Sequence, residues 1–278
     1  MAVDFRRVIS RTVQELDGLA GFWIGQSRPS PAEAVEHADW QADRPDAYCS
    51  RCGSTVGPGE ATITGCGHCR GRTMGTDRIV RLGAYEGPLR DWVMGVKYQR
   101  WGPMGEYLGH RLGESLKASD EINRDRAVVI PVPMPWTRRM YRGIDHTEVI
   151  ARAVASVLDA PLAKVLARRH GLPQTQLPRA DRRRNAHRGM YQRFRLGGWP
   201  LEDLDLILID DVRTTGSTLR AAARRLRPFR PRMILGAVVA VADEAARRRR
   251  AEQKHSDFDA PGPDRPSAES PTSSRIAQ

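Results

Sequence analysis

Asp210 and Asp211 stand side by side at the end of an apolar run and are followed by Val212, Arg213, Thr214, Thr215, Gly216, Ser217 and Thr218, in the stretch "LILIDDVRTTGSTL". Two adjacent carboxylates can accept hydrogen bonds from hydroxyls or help to hold a divalent cation. The small and hydroxylated residues after them can let backbone N–H groups converge on an anion. Leu206 to Ile209 has the length and β-branched content of a buried strand, and Ser217 to Leu226 reads as the start of a helix. The polar middle, Asp210 to Thr218, is therefore expected to be a strand-to-helix turn.

Three chemistries compete for that turn. Asp211 or Thr214 as a helix cap explains one residue. An acidic magnesium site of the phosphoacceptor kind needs carboxylates from several strand ends, and no matching early acidic pair or lysine is evident. A phosphorylated sugar explains the most. The helix N-terminus favours a phosphate, Gly216 permits close backbone approach, and Thr214, Thr215, Ser217 and Thr218 add hydroxyl donors. Asp210 and Asp211 would accept from the 2′ and 3′ hydroxyls of ribose, and their charge would favour an oxocarbenium-like transition state at C1′. A nucleoside-triphosphatase loop needs Gly-Lys-Ser/Thr, and the chain contains no Gly-Lys dipeptide.

All four cysteines fall within 21 residues, as Cys49-x2-Cys52 and Cys66-x2-Cys69 with thirteen residues between. Two such pairs supply four thiolates to one tetrahedral zinc with no open position, the pattern of a structural site. The competing reading is a pair of redox dithiols or disulfides. His68 lies between ligands and is expected to face solvent from a knuckle, with substitution for one of the thiolates as the competing reading.

The chain has 278 residues, a formal charge of +12 and 40% apolar residues, with 41 arginines among its 45 basic side chains. A basic surface concentrates phosphates, and arginine suits bidentate phosphate contacts, although an arginine-rich genome would also supply arginine everywhere. Arg182, Arg183 and Arg184 lie in "RRHGLPQTQLPRADRRRNAHRGMYQRF", read by composition as a loop. This loop suits a cover over pyrophosphate, or a single-stranded nucleic acid track with Tyr191 and Phe194 for stacking, against a plain solvated loop. Trp92, Tyr98 and Trp101 flank Lys97 at spacings that favour packing over base stacking. Arg247 to Arg250 read as a solvated helix terminus. No apolar run approaches a membrane span, and the N-terminus "MAVDFRRVIS" lacks a signal peptide's apolar block, so a cytoplasmic location is expected.

The elements that must position these residues follow from periodicity. Residues 1–25 contain an amphipathic helical pattern, 26–47 a polar, proline-bearing linker, and 48–77 the zinc ribbon. From Arg78 strand and helix signals alternate through "RIVRLGAYE", "PLRDWVMGVKY", "GEYLGHRLGESL", "RAVVIPVP", "HTEVIARAVASVL", "LDLILID", "STLRAAARRLR" and "RMILGAVVAVA". This alternation predicts an α/β domain over 78–250 with a mainly parallel sheet, whose ligands bind beyond the carboxyl ends of strands. Residues 251–278 are too poor in apolar side chains to offset their ordering entropy, so a disordered tail is expected.

"LILIDDVRTTGSTL" resembles the phosphoribosyl pyrophosphate (PRPP) binding signature of type I phosphoribosyltransferases. Together with the four cysteines, "YEGPLRDWVMGVKY", "VVIPVPMPWTRRMYRG" and "QTQLPRADRRRN", it resembles the ComF family over about Cys49 to Asp243. The resemblance implies a Rossmann-like parallel sheet with a hood, an N-terminal zinc element, and a role in DNA uptake during natural transformation, through contacts with single-stranded DNA or the uptake machinery. It implies ribose hydroxyls on Asp210 and Asp211, the 5′-phosphate on Thr214 to Thr218 with Val212 and Arg213 beside them in the PRPP-binding set, and pyrophosphate facing "PVPMPWTRR" with Arg138 and Arg139 as available cations. Magnesium would bridge pyrophosphate and sugar oxygens. The alternative function is an active phosphoribosyltransferase that transfers ribose 5-phosphate to a nucleobase or amine in salvage. The chain departs from the family at Asp145 and His146, where an Asn and a Gln are usual. His146 is read as a helix N-terminal residue in a polar setting, with titration near neutrality as the competing reading.

Overall fold

In a computed structural model, the described residues are 28–62, 64–119, 121–134, 145–168, 190–192 and 201–242. The expected N-terminal helix, the tail, and Arg138, Arg139, Arg182 to Arg184 and Arg247 to Arg250 lie outside them. Each alternating signal from Arg78 onward folds as its period demands. Strands β1 (Arg78–Ala84), β2 (Ala127–Pro131), β5 (Asp205–Arg213) and β6 (Met233–Val241) form one parallel sheet in the order β1-β6-β5-β2. Near-continuous Val, Ile, Leu and Ala runs are what a sheet covered on both faces requires.

Alternation along the strands divides the core in two. Leu82, Val129, Ile207, Ile209 and Leu235 face α2 (Gly87–Tyr98), α3 (Gly102–Ala118) and α4 (His146–Leu158). Ile79, Val128, Leu206, Leu208 and Ile234 face α5 (Ser217–Leu226), which turns Leu219, Ala222, Ala223 and Leu226 inward. The helix after β2 therefore covers one face and the helix after β5 the other. That reversal opens a crevice beyond the carboxyl ends of β2 and β5, where open α/β sheets bind ligands.

Two segments differ from the sequence-based expectation. The stretch read as a linker contains a helix, α1 (Pro31–His37), started by a reciprocal Ser30–Glu33 capping box. Its continuation packs back on the domain: Trp40 meets Trp92 edge-on at 5.3 Å, and Asp43 N–H donates to Leu82 O. Secondly, the two ends of the arginine-rich segment pair as a short antiparallel ribbon, β3 (Leu166–Arg168) with β4 (Met190–Gln192). Burial of Leu166 and Met190 against the sheet supplies a tertiary contact that composition does not reveal.

The ribbon of cysteines is fastened to β1. Arg81, almost fully buried, donates to Gly53 O at 2.7 Å, Asp43 Oδ2 at 2.6 Å and Thr55 Oγ1 at 2.9 Å, and lies over the Tyr48 ring. Ile79 N–H adds a bond to Ser50 O. No helix among the described residues is long and apolar enough to cross a membrane.

Candidate functional site

β5 runs on through Asp210, Asp211 and Val212 to Arg213, so the carboxylates sit on the strand and the turn proper is only Thr214 to Gly216. The polar side chains mark the strand end as a turn by composition, but β6 extends far enough to keep pairing, with Val212 opposite Ala240 and Arg213 opposite Val241. Successive strand residues point to opposite faces. The two carboxylates are thereby separated.

Asp211 faces α2 and α4. Its Oδ2 accepts from His146 Nε2 at 2.5 Å and lies 3.2 Å from Lys97 Nζ, in a niche walled by Val93, Val96, Leu108 and Ile150. Its Oδ1 accepts from Val212 N–H. Burial opposes ionisation there, but the hydrogen bond from His146 and the positive charge of Lys97 outweigh it and hold the Asp211 carboxyl down to about 2. Asp210 points to the other face, where its Oδ1 accepts from Asp211 N–H and Oδ2 is unengaged among the described residues. Burial and the charge of Asp211 push the Asp210 carboxyl up to about 7, against the pull of Lys97 and Arg168.

Lys97 and His146 were not identified as partners of this pair from sequence. Both come from helix ends: Lys97 from the last turn of α2 and His146 from the first position of α4. A lysine two residues before a Gln-Arg turn and a histidine after a capping Asp carry no spacing signal towards a strand so distant in the chain. Asp145 is the N-cap of α4, its Oδ1 accepting from Glu148 N–H at 3.2 Å, so its carboxylate has a structural use of its own. His146 is helix N-terminal, as expected, but its setting is not the polar one expected: it is buried in the largely apolar niche, where it meets Asp211.

The turn has the expected texture. Gly216 is the N-cap of α5 in the left-handed conformation (φ +70°), and makes no side-chain cap bond. A Cβ here would lie 3.2 Å from Arg213 Nε, so glycine suits both the dihedral and the crowding. Neither Asp211 nor Thr214 caps α5, because the first is held by Lys97 and His146 and Gly216 occupies the cap position. Thr214 and Thr215 are exposed, Ser217 and Thr218 half-buried, and Thr215 Oγ1 donates to Ser217 Oγ at 3.1 Å. These hydroxyls line the mouth of the helix N-terminus, a ready anion site. Val212 is half-buried in the sheet. The Arg213 side chain is mostly buried beneath Gly216, and that desolvation lowers its pKa while the cysteines beside it act as counter-charges.

The cysteines converge as their spacing predicts. All four are buried, none is in a disulfide, and their Sγ atoms lie within 4.8 Å of one another. Cys49–Cys69, Cys52–Cys66 and Cys66–Cys69 are separated by 3.8, 3.6 and 4.0 Å. Four sulfurs at about 2.3 Å from one zinc would be about 3.8 Å apart, so the cluster fits a closed tetrahedral site. His68 is exposed on its knuckle. Of the aromatic group around Lys97, Trp92 is core while Tyr98 is half-exposed.

A phosphoribosyl transferase domain model matches residues 146–262. Competence protein F of Haemophilus influenzae is 27% identical over 184 residues, 65% of this chain and 78% of the relative. The chain is a homologue of competence protein F. DNA utilization protein YhgH of Salmonella typhi is 28% identical over 185 residues, again 65% of this chain and 78% of the relative. A solved structure of a purine phosphoribosyltransferase from Pyrococcus horikoshii is similar over 59% of this chain and 78% of its own, at 15% identity and a TM-score of 0.31. The match begins at His146 and includes β5, the turn and α5. The strand–turn–helix thus belongs to a phosphoribosyl transferase domain in this competence protein F homologue.

Proposed function

We propose that this competence protein F homologue binds PRPP with magnesium beyond β5 and serves the handling of incoming DNA in natural transformation. The observation that carries the ligand is the Gly216 turn: a helix N-terminus whose N-cap glycine offers no side chain, with Ser217 N–H met at 3.4 Å by Thr215 Oγ1, ringed by Thr214, Thr215, Ser217 and Thr218 directly after an acidic strand end. The 5′-phosphate would sit on the N–H groups from Gly216 to Thr218. Asp210, with one oxygen unengaged among the described residues, would accept from a ribose hydroxyl, while Asp211 holds Lys97 and His146 against the floor. Arg138 and Arg139 remain the proposed pyrophosphate contacts. Magnesium would neutralise pyrophosphate oxygens, and an Asp210 carboxyl held up to about 7 by burial and a like charge gains from a nearby cation. The names of the two relatives support the DNA role, and the four buried thiolates support a structural zinc.

The test is thermal melting with PRPP and magnesium. A rise in Tm with the wild type, lost in Asp210→Asn, supports the site; no rise at millimolar PRPP rejects it. A pyrophosphate-release assay with candidate nucleobases then separates binding from transfer: release identifies an active phosphoribosyltransferase, and binding without release identifies a ligand-responsive DNA-handling protein.

A further inference from the structure

At the end of the sheet opposite the Gly216 turn, a groove of about 1040 Å³ opens between the cysteine ribbon, the first residues of β1 and β6, and α5. Among the described residues, seven arginines line it against two carboxylates, Asp77 and Glu121. Some of these arginines are committed. Arg51 binds the carbonyls of Thr64, Cys69 and Arg72 within the ribbon, Arg78 pairs with Glu121, Arg227 with Asp77, and Arg232 with the buried Asp205. Arg72 from the ribbon and Arg220 and Arg224 from α5 have no acidic partner among the described residues, and the buried Nε of Arg220 meets no hydrogen-bond partner there. Among the described residues of the lining, apolar side chains are scarce and aromatic ones absent.

We infer that this groove is a binding track for the phosphate backbone of single-stranded nucleic acid. Uncompensated arginines brought into one lining from the ribbon and from α5 select a polyanion. Arg220 and Arg224 stand one turn apart on α5, a rise of about 6 Å, so they meet successive phosphates of an extended strand rather than one small anion. Arg72 adds a third cation to the same lining from the ribbon. Without an aromatic platform the track grips sugar-phosphate and not bases, so binding is sequence-independent and steeply salt-dependent. The assignment rests on the DNA-handling reading above, but it uses side chains other than those of the PRPP site. Arg220 stands one turn from Gly216, whose carbonyl its N–H meets at 2.9 Å, so the pair Arg72 and Arg224 is the arm that separates the two sites. It also moves the nucleic acid contact away from Arg182 to Arg184.

Fluorescence anisotropy of a labelled mixed-sequence single strand tests it with the full, zinc-loaded chain. Replacing Arg72, Arg220 and Arg224 with Gln is expected to weaken binding by about tenfold or more and to reduce the slope of log K against log salt by about 2. An equal change of charge at Arg90, Arg111 and Arg152, on the helices of the other sheet face, is expected to change it by less than about threefold. The exposed pair Arg72 and Arg224, substituted without Arg220, gives a partial loss and guards against misfolding, which melting curves also report. Equal losses in the two triple variants, or wild-type affinity in the groove variants, overturns the track while leaving DNA handling in place. A wild type that retains no strand at low salt removes both. Displacement of the strand by polyglutamate at lower charge concentration than by unlabelled strand reassigns the groove to an acidic protein and also overturns the proposal. PRPP-induced stabilisation is read in parallel, so failure of the ligand site is seen separately.

Discussion

Two neighbouring aspartates in one strand end up with opposite electrostatic fates. Asp211 is ionised by the company of Lys97 and His146, whereas Asp210 is held protonated to about 7 by burial and by Asp211 itself. The consequence for stability follows from proton linkage. Asp210 has its folded pKa above the usual 3.8, so the folded state binds more protons between about 4 and 7 and its contribution to stability falls as pH rises through that window. Asp211 has its folded pKa below 3.8, so its contribution is present above that value and is lost as pH falls towards 2. Asp210→Asn is therefore expected to flatten the decline of Tm between about pH 4 and 7 without altering the acid-side loss; an unchanged decline would show that Asp210 ionises normally. Asp210 and Asp211 were legible as a pair. Their division was not, since it depends on how far pairing to β6 continues.

At the scale of elements, the crevice is held in shape by the contact of α3 with α4, the helix that carries His146. Gly105, Gly109 and Gly113 recur every four residues on α3 and let the helices approach closely: a Cβ at Gly109 would lie 2.6 Å from Ile150 O and 2.7 Å from Ala153 Cβ. Gly109→Ala is expected to cost about 2 kcal/mol through overpacking, measured as a lower denaturant midpoint. Gly102→Ala, where the space is open, should stay within about 0.5 kcal/mol. Equal effects at the two positions would mean that helix propensity, not contact, governs α3. Every main strand and helix from Arg78 onward was readable from its period. α1 and the β3–β4 ribbon were not, because a seven-residue helix and three-residue strands are shorter than periodicity can register and form on tertiary support.

For the whole molecule, the cysteine ribbon is a fixed wall of the domain. Arg81 ties it to β1 and to the Asp43 segment at once, and Arg213, packed against Gly216, feels the charge of the thiolates. Metal analysis is expected to find one zinc per chain, and stripping it with chelator should lower Tm, since a ligand bound only by the folded state stabilises it by mass action. Arg81→Leu should cost about 3 kcal/mol, as for breaking a buried pair, while zinc stoichiometry stays near one. A stoichiometry near zero in protein purified without chelator would sink the zinc assignment.

By itself the sequence determined the parallel α/β architecture, the convergence of four thiolates and the acidic strand end before a small-residue turn, because each rests on local periodicity or short spacing. Only the tertiary structure decided which face each aspartate meets, that Lys97 and His146 close on Asp211, and that arginines from the ribbon and α5 line one groove. These are contacts between residues far apart in the chain. Sequence spacing carries no distance once the chain has turned back on itself.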